Sequence, residues 1–143
     1  MTRALIKEFL AGKRVAVIGV SRSERDFSRI LFREMVRRGY DAVPVNPAAV
    51  EIEGRRAFAN VAEVTPAVDW ALVMTAAGLR ENIVRECASA GIPRVWLFGT
   101  TPRTCHDAGV QAVSGCPFMF FPRPGFPHNF HGFLLRLAGL YPK

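Results

Sequence analysis

The segment Arg14-Val-Ala-Val-Ile-Gly19 constrains the fold of this chain more than any other. Apolar residues run without interruption up to a glycine, and a helical pattern opens soon after, near Phe27. That is a buried strand, a tight turn and a helix start. An α/β fold begins this way, and the helix N-terminus it creates is a place where phosphate binds.

The rest of the chain repeats the alternation. A short helix over Ala4, Leu5, Ile6, Phe9 and Leu10 stops at Gly12. Strand one is Val15 to Ile18, and the next helix runs from Phe27 to Arg38, with Phe27, Ile30, Leu31 and Met35 inward and Gly39 ending it. Strand two is Asp41 to Val45, and residues 46 to 60 read as a loop containing Asn46-Pro47 and Glu53-Gly54. Asn60-Val-Ala-Glu63 has capping-box spacing. Strand three, Val68 to Met74, leads to a helix over Leu79 to Ala90 with Leu79, Ile83, Val84 and Cys87 inward. Strand four is Val95 to Phe98, a short helix lies near Thr101 to Ala108, and strand five is Val110 to Val113. The expected fold is α/β, a parallel sheet of about five strands with helices on both faces.

Right-handed crossovers put the first turn and the tips of strands two and three along one sheet edge, where such folds bind ligands. The expected site is therefore Gly19, Val20, Ser21, Arg22, Arg25, Phe27 and Ser28 from the first turn, Asn46 and Pro47 from the second tip, and Met74, Thr75, Ala76 and Ala77 from the third. Ser21 and Glu24 stand where a dinucleotide fingerprint has its later glycines. Ser21 reads equally as a helix cap, and a capped N-terminus is also an anion site. No carboxylate stands at the tip of strand two, which argues against a plain NAD site. No Gly-x-x-x-x-Gly-Lys-Ser/Thr phosphate loop occurs, so ATP hydrolysis of that type is not expected.

Length and charge bound the rest. The 143 residues suit one domain with one core. The division expected is a domain over 1–116 and an extension over 117–143. A net charge of +7 attracts anions of many kinds. Arg29, Arg33 and Arg37 share one helix face at i, i+4, i+8 and read as a solvated face rather than a DNA-binding helix. Nucleic acid is not the expected partner; a small nucleotide ligand is. With no apolar run of about 18 residues and no signal peptide, the expected location is the cytoplasm, with Cys87, Cys105 and Cys116 reduced.

Several residue pairs invite sharper readings and do not sustain them. His106-Asp107 lacks a Gly-x-Ser-x-Gly elbow and reads as surface. His128-x-x-His131 lacks a third metal ligand, and Cys116 reads as a buried structural thiol. No catalytic residue and no metal are expected. The extension carries Phe118, Phe120, Phe121, Phe126 and Phe130 among prolines, and Phe130, Phe133, Leu134, Leu137 and Leu140 then form an apolar helical stripe. So much aromatic surface calls for cover, by its own domain or by a second subunit in a homodimer, with a membrane-surface helix the weakest option.

Val15-Ala-Val-Ile-Gly-Val-Ser21, Gly39-Tyr-Asp-Ala-Val-Pro-Val-Asn-Pro47, Val68-Asp69, Val95-Trp-Leu97 and Cys116-Pro117 together resemble the small CoA-binding proteins. These share the fold of the CoA-binding domain of succinyl-CoA synthetase. The resemblance runs from about Leu10 to Cys116, and Gly125-Phe-Pro-His-Asn-Phe-His131 is similar to the ending of some members. It implies a Rossmann-like or flavodoxin-like sheet with CoA or an acyl-CoA at the strand tips. By position, Gly19, Val20 and Ser21 would meet the phosphates, Asn46-Pro47 the adenine and ribose, and the loop after strand three the pantetheine. Many relatives have an Arg-Pro or Pro-rich loop there, whereas this chain has Met74-Thr-Ala-Ala-Gly78. The synthetase's phosphorylated histidine belongs to a domain absent here, so a binding protein without its own reaction is implied. The competing readings are an NADP-dependent oxidoreductase, which lacks a Tyr-Lys or Cys-His pair, and a nucleotide-binding regulatory or interaction module.

Overall fold

The computed structural model describes residues 2–99 and 104–121, without the side chains of Thr104 and Asp107. Four helices and seven strands follow in chain order: α1 (Arg3–Ala11), β1 (Arg14–Ile18), α2 (Phe27–Arg37), β2 (Asp41–Val45), β3 (Glu51–Ile52), β4 (Arg55–Arg56), β5 (Trp70–Val73), α3 (Arg80–Ser89), β6 (Arg94–Leu97), α4 (Thr104–Asp107) and β7 (Gln111–Ser114). Five strands form one parallel sheet in the order β2-β1-β5-β6-β7. Without the β3–β4 hairpin this is the flavodoxin-like 2-1-3-4-5 order, whose direction of winding reverses between β1 and β5. The α/β parallel sheet expected from the sequence is the one observed.

Alternation along the strands separates two cores. Val15, Val17, Leu72 and Trp96 face α1 and α2, while Ala16, Ile18, Val73 and Leu97 face Val84 and Cys87 of α3. Helix α1 starts at Thr2, whose hydroxyl accepts from Leu5 N at 3.3 Å, and buries Ile6 and Phe9. Phe9 sets its edge against Trp70 and Trp96 at 5.9 and 5.8 Å between ring centres and is fully buried. Burying a ring of that size stabilises by roughly 1.5–3 kcal/mol. Residues 117–121 close over the same face: Phe121 is buried, Phe120 meets Trp96 at 5.7 Å, and the Arg38 guanidinium stacks 4.6 Å from the Phe121 ring centre. Phe126, Phe130 and the stripe to Leu140 lie outside the described residues.

Local expectations fail where polar residues disguise the pattern. Helix α2 buries Ser28, Leu31, Phe32 and Met35, whereas Phe27 and Ile30 are only half-buried. That is an i, i+3, i+4, i+7 stripe whose first member is polar. Leu79 does not point inward; it is 55% exposed in a 3-10 turn before α3. Residues 46–60 are not all loop. Glu53 and Gly54, at φ 53° and 71°, make the left-handed two-residue turn that joins β3 to β4. Asn60 caps as its spacing implies, its Oδ1 accepting from Glu63 N at 3.2 Å. No helix among the described residues is long and apolar enough to cross a membrane.

Candidate functional site

In folds of this strand order the ligand crevice lies outside the carboxyl ends of the strands at the winding reversal, here between β1 and β5. Gly19 stands at that point. Its φ is +92°, and a Cβ there would lie 2.9 Å from Thr75 Cγ2 and 3.1 Å from the Met74 carbonyl carbon and Thr75 N. Both the left-handed backbone and the close approach to β5 require a residue without a side chain. Gly19 N also donates to Val45 O at 3.1 Å, so one residue joins three strand tips.

The turn beyond it is held from within. Ser21 N donates to Ser28 Oγ at 2.8 Å, and Ser28 Oγ in turn donates to Asp26 Oδ1 at 2.5 Å. Asp26 is the N-cap of α2 and accepts from Ser28 N at 2.8 Å. A carboxylate of the chain itself thus sits at the positive end of the helix. Ser21 Oγ accepts from Ser23 N at 3.0 Å and keeps its hydrogen to donate. Val20 is fully buried, and its carbonyl accepts from Asn46 Nδ2 at 2.8 Å, while Asn46 Oδ1 accepts from Ala48 N at 2.7 Å. The Asn46 side chain is therefore a brace between the β1 turn and the β2 tip, and Pro47 beside it is exposed. Arg22 and Arg25 are exposed at the mouth and have no side-chain hydrogen bond or ion pair among the described residues.

Arg29 overturns the expected solvated face. It is 7% exposed, and its guanidinium grips Glu53 Oε1 at 2.5 and 3.0 Å while donating to the carbonyls of Ser21 and Arg22 at 3.3 and 3.2 Å. Arg33 reaches the same carboxylate at 2.7 Å. The hydrogen bonds from Arg29, then Arg33, hold the Glu53 carboxyl below its usual range. The β3–β4 turn was missed as an element, and with it the partner that draws Arg29 inward. Only Arg33 and Arg37 of the three behave as a solvated face.

Across the crevice, Met74 and Thr75 are half-buried and Ala76 and Ala77 exposed. Phe27 stands over the tip of β6, 5.2 Å from the Phe98 ring centre and 6.2 Å from that of Phe118. Arg80, which sequence reasoning did not single out, donates from Nη2 to Phe98 O at 2.8 Å and lies against Gly99. The signal for it was slight, one arginine opening a helix among several others. The thirteen expected residues lie in the three strand-tip loops and the turns that follow them, with Phe27 and Ser28 in the first turn of α2, but Ser21 N, Ser28, Asn46 and Val20 O already have protein partners.

Burial pushes the Cys87 thiol up to about 12 and the Cys116 thiol up to about 11, and raises that of Cys105. No group of three His, Cys, Asp or Glu fit to hold a metal occurs among the described residues. His106 is exposed on α4, and His128 and His131 lie outside the described residues. A cavity of about 310 Å³ lies along the outer edge of β2, lined by Arg14, Asp41, Arg55, Arg56 and Phe58 among others. Asp41 pairs with both Arg14 and Arg55 there, and the cavity is not at the winding reversal.

A family model described as CoA binding domain matches residues 13–119. The Bacillus subtilis protein YneT, described as uncharacterized, is 29% identical over 96 residues, which cover 66% of this chain and 71% of YneT. A hypothetical protein from Pyrococcus horikoshii has the same fold, with a TM-score of 0.78 at 24% identity over 84% of this chain and 89% of its own. The dinucleotide-forming acetyl-coenzyme A synthetase 1 of Ca. Korarchaeum cryptofilum, in complex with phosphate and ADP, shares it at a TM-score of 0.66 and 19% identity. That likeness covers 72% of this chain but 25% of the synthetase.

Proposed function

The chain belongs to the CoA-binding domain family, and on that premise we propose that it binds CoA or an acyl-CoA in the strand-tip crevice and carries out no reaction of its own. One observation carries this reading. Gly19 presents bare backbone at the winding reversal, packed against Met74 and Thr75, and the hydroxyl of Thr75 is buried there without a partner among the described residues. A phosphorylated ligand fits there because it can meet bare backbone and the free donor of Ser21. Arg22 and Arg25 supply the charge from the mouth, since the cap of α2 is already taken by Asp26. The pantetheine would run toward Met74 and the Phe27–Phe98 contact, an apolar wall.

Thermal unfolding tests this. CoA should raise the melting temperature more than NAD or NADP, since a ligand at a hundredfold excess over its Kd adds roughly 2.7 kcal/mol. At low salt Arg25→Ala should weaken CoA binding more than Arg37→Ala, because Arg37 pairs with Glu34 at the far end of α2. Stabilisation by NADP and not by CoA would favour the oxidoreductase reading instead.

A further inference from the structure

Two buried side-chain polar atoms lack a hydrogen-bond partner among the described residues, Thr75 Oγ1 and Arg80 Nε. Both flank one loop, at the tip of β5 and the start of α3. Unpartnered buried groups are rare in folded proteins and call for a specific cause.

Arg80 is the more exacting of the two. Its guanidinium has five N–H donors, and the structure assigns one hydrogen bond to it, from Nη2 to Phe98 O. Its Nη1 and Nη2 lie 2.8 Å from where a Cβ of Gly99 would stand, so the residue at the β6 tip, at φ +121°, leaves it room. No carboxylate pairs with it among the described residues, although Glu81 is its neighbour in sequence. Its place in the first turn of α3 also sets a cation at the end of the helix that favours anions. By contrast Arg14, Arg29, Arg33, Arg37, Arg38, Arg55 and Arg94 all have acidic partners. A half-buried, uncompensated cation beside a ligand crevice lacks one thing, an anion. The tip of β6 is two strand spacings from the β1 turn, about 10 Å.

We propose that Arg80 is a specificity-determining residue that receives a second oxyanion of the bound ligand, a phosphate or a carboxylate about 10 Å from the group on the β1 turn. The inference rests on the reading of the crevice as a CoA site. A CoA ester offers two such groups: a carboxylate on the acyl chain, at the pantetheine end that runs toward Phe98, and, where the ribose lies on the β6 side rather than beside Asn46-Pro47, the ribose 3′-phosphate.

Calorimetric titration of the full chain with CoA, 3′-dephospho-CoA, acetyl-CoA and succinyl-CoA separates these sources. Wild type should prefer CoA to 3′-dephospho-CoA if the phosphate is the partner, or succinyl-CoA to acetyl-CoA if the carboxylate is, by about tenfold. Arg80→Gln should erase that preference by weakening the preferred ligand to the level of the other. Arg80→Lys, which keeps the charge and loses the fork, should retain part of it, and it serves equally if Arg80→Gln folds poorly. The inference is overturned if wild type shows neither preference, or if both variants keep the wild-type preference. Failure of wild type to bind any of the four would overturn the CoA reading itself, and Arg80's role with it.

Discussion

On the β1 side of the crevice the buried polar groups of the turn have protein partners. Ser21 N, Ser28 Oγ and Asp26 form one chain, Asn46 braces Val20 O, and Arg29 holds two turn carbonyls against Glu53. On the β5–β6 side, Thr75 Oγ1 and Arg80 Nε have none among the described residues. The first side is a frame whose shape is fixed before any ligand arrives. The second keeps hydrogen-bonding capacity unused, so ligand binding there gains interactions without breaking existing ones. A pre-shaped frame lowers the ordering cost of binding, and the unsatisfied side decides what is bound.

The largest blow to the frame is Gly19→Val. A branched side chain at φ +92°, in contact with the Met74–Thr75 backbone, should cost about 3–5 kcal/mol, read as a lowered urea midpoint. A midpoint within error of wild type would show that β1 and β5 tips separate freely. Glu53→Gln comes next. It strips the buried Arg29 of its counter-charge and should cost about 1–2 kcal/mol after allowing for partial exposure of the pair.

Acid tests the same link. Because the Glu53 carboxyl is depressed in the folded protein, its stabilisation is full above the unfolded value near ~4.3 and is lost as pH falls through the lower folded value. Glu34, depressed by its hydrogen bond from Arg37 and then Arg38, has the same sign at the other end of α2. The acid-induced loss of stability between pH 5 and about 2 should therefore be smaller in Glu53→Gln than in wild type. An identical profile would leave Glu53 out of the frame's energetics.

The smallest expected effect is also the most discriminating. Asp26→Asn keeps the cap on Ser28 N and should change stability by less than about 1 kcal/mol. It removes a negative charge from the turn proposed to receive phosphate, so CoA affinity at low salt should rise about two- to fivefold. Unchanged affinity would place the phosphate away from α2.

The sequence made the sheet legible because its central strands are apolar runs alternating with helical patterns, as Val15 to Gly19 shows. It made the three strand-tip loops legible because the alternation of strand and helix fixes where they gather. It did not reveal Arg29 as buried, since that depends on Glu53, brought near by a hairpin whose strands are two residues each, too short to show alternation. Nor did it reveal Arg80. What distinguishes Arg80 from the other buried or half-buried arginines among the described residues is a missing acidic partner, and partners are set by packing rather than by spacing.

A native mass spectrum of freshly purified full-length protein, alone and with added CoA or NADP, addresses the CoA reading of the crevice most directly. The expected result is a one-to-one complex with CoA or an acyl-CoA that survives desalting, and none with NADP. A stable NADP complex, or no CoA complex at a millimolar excess of ligand, would contradict it.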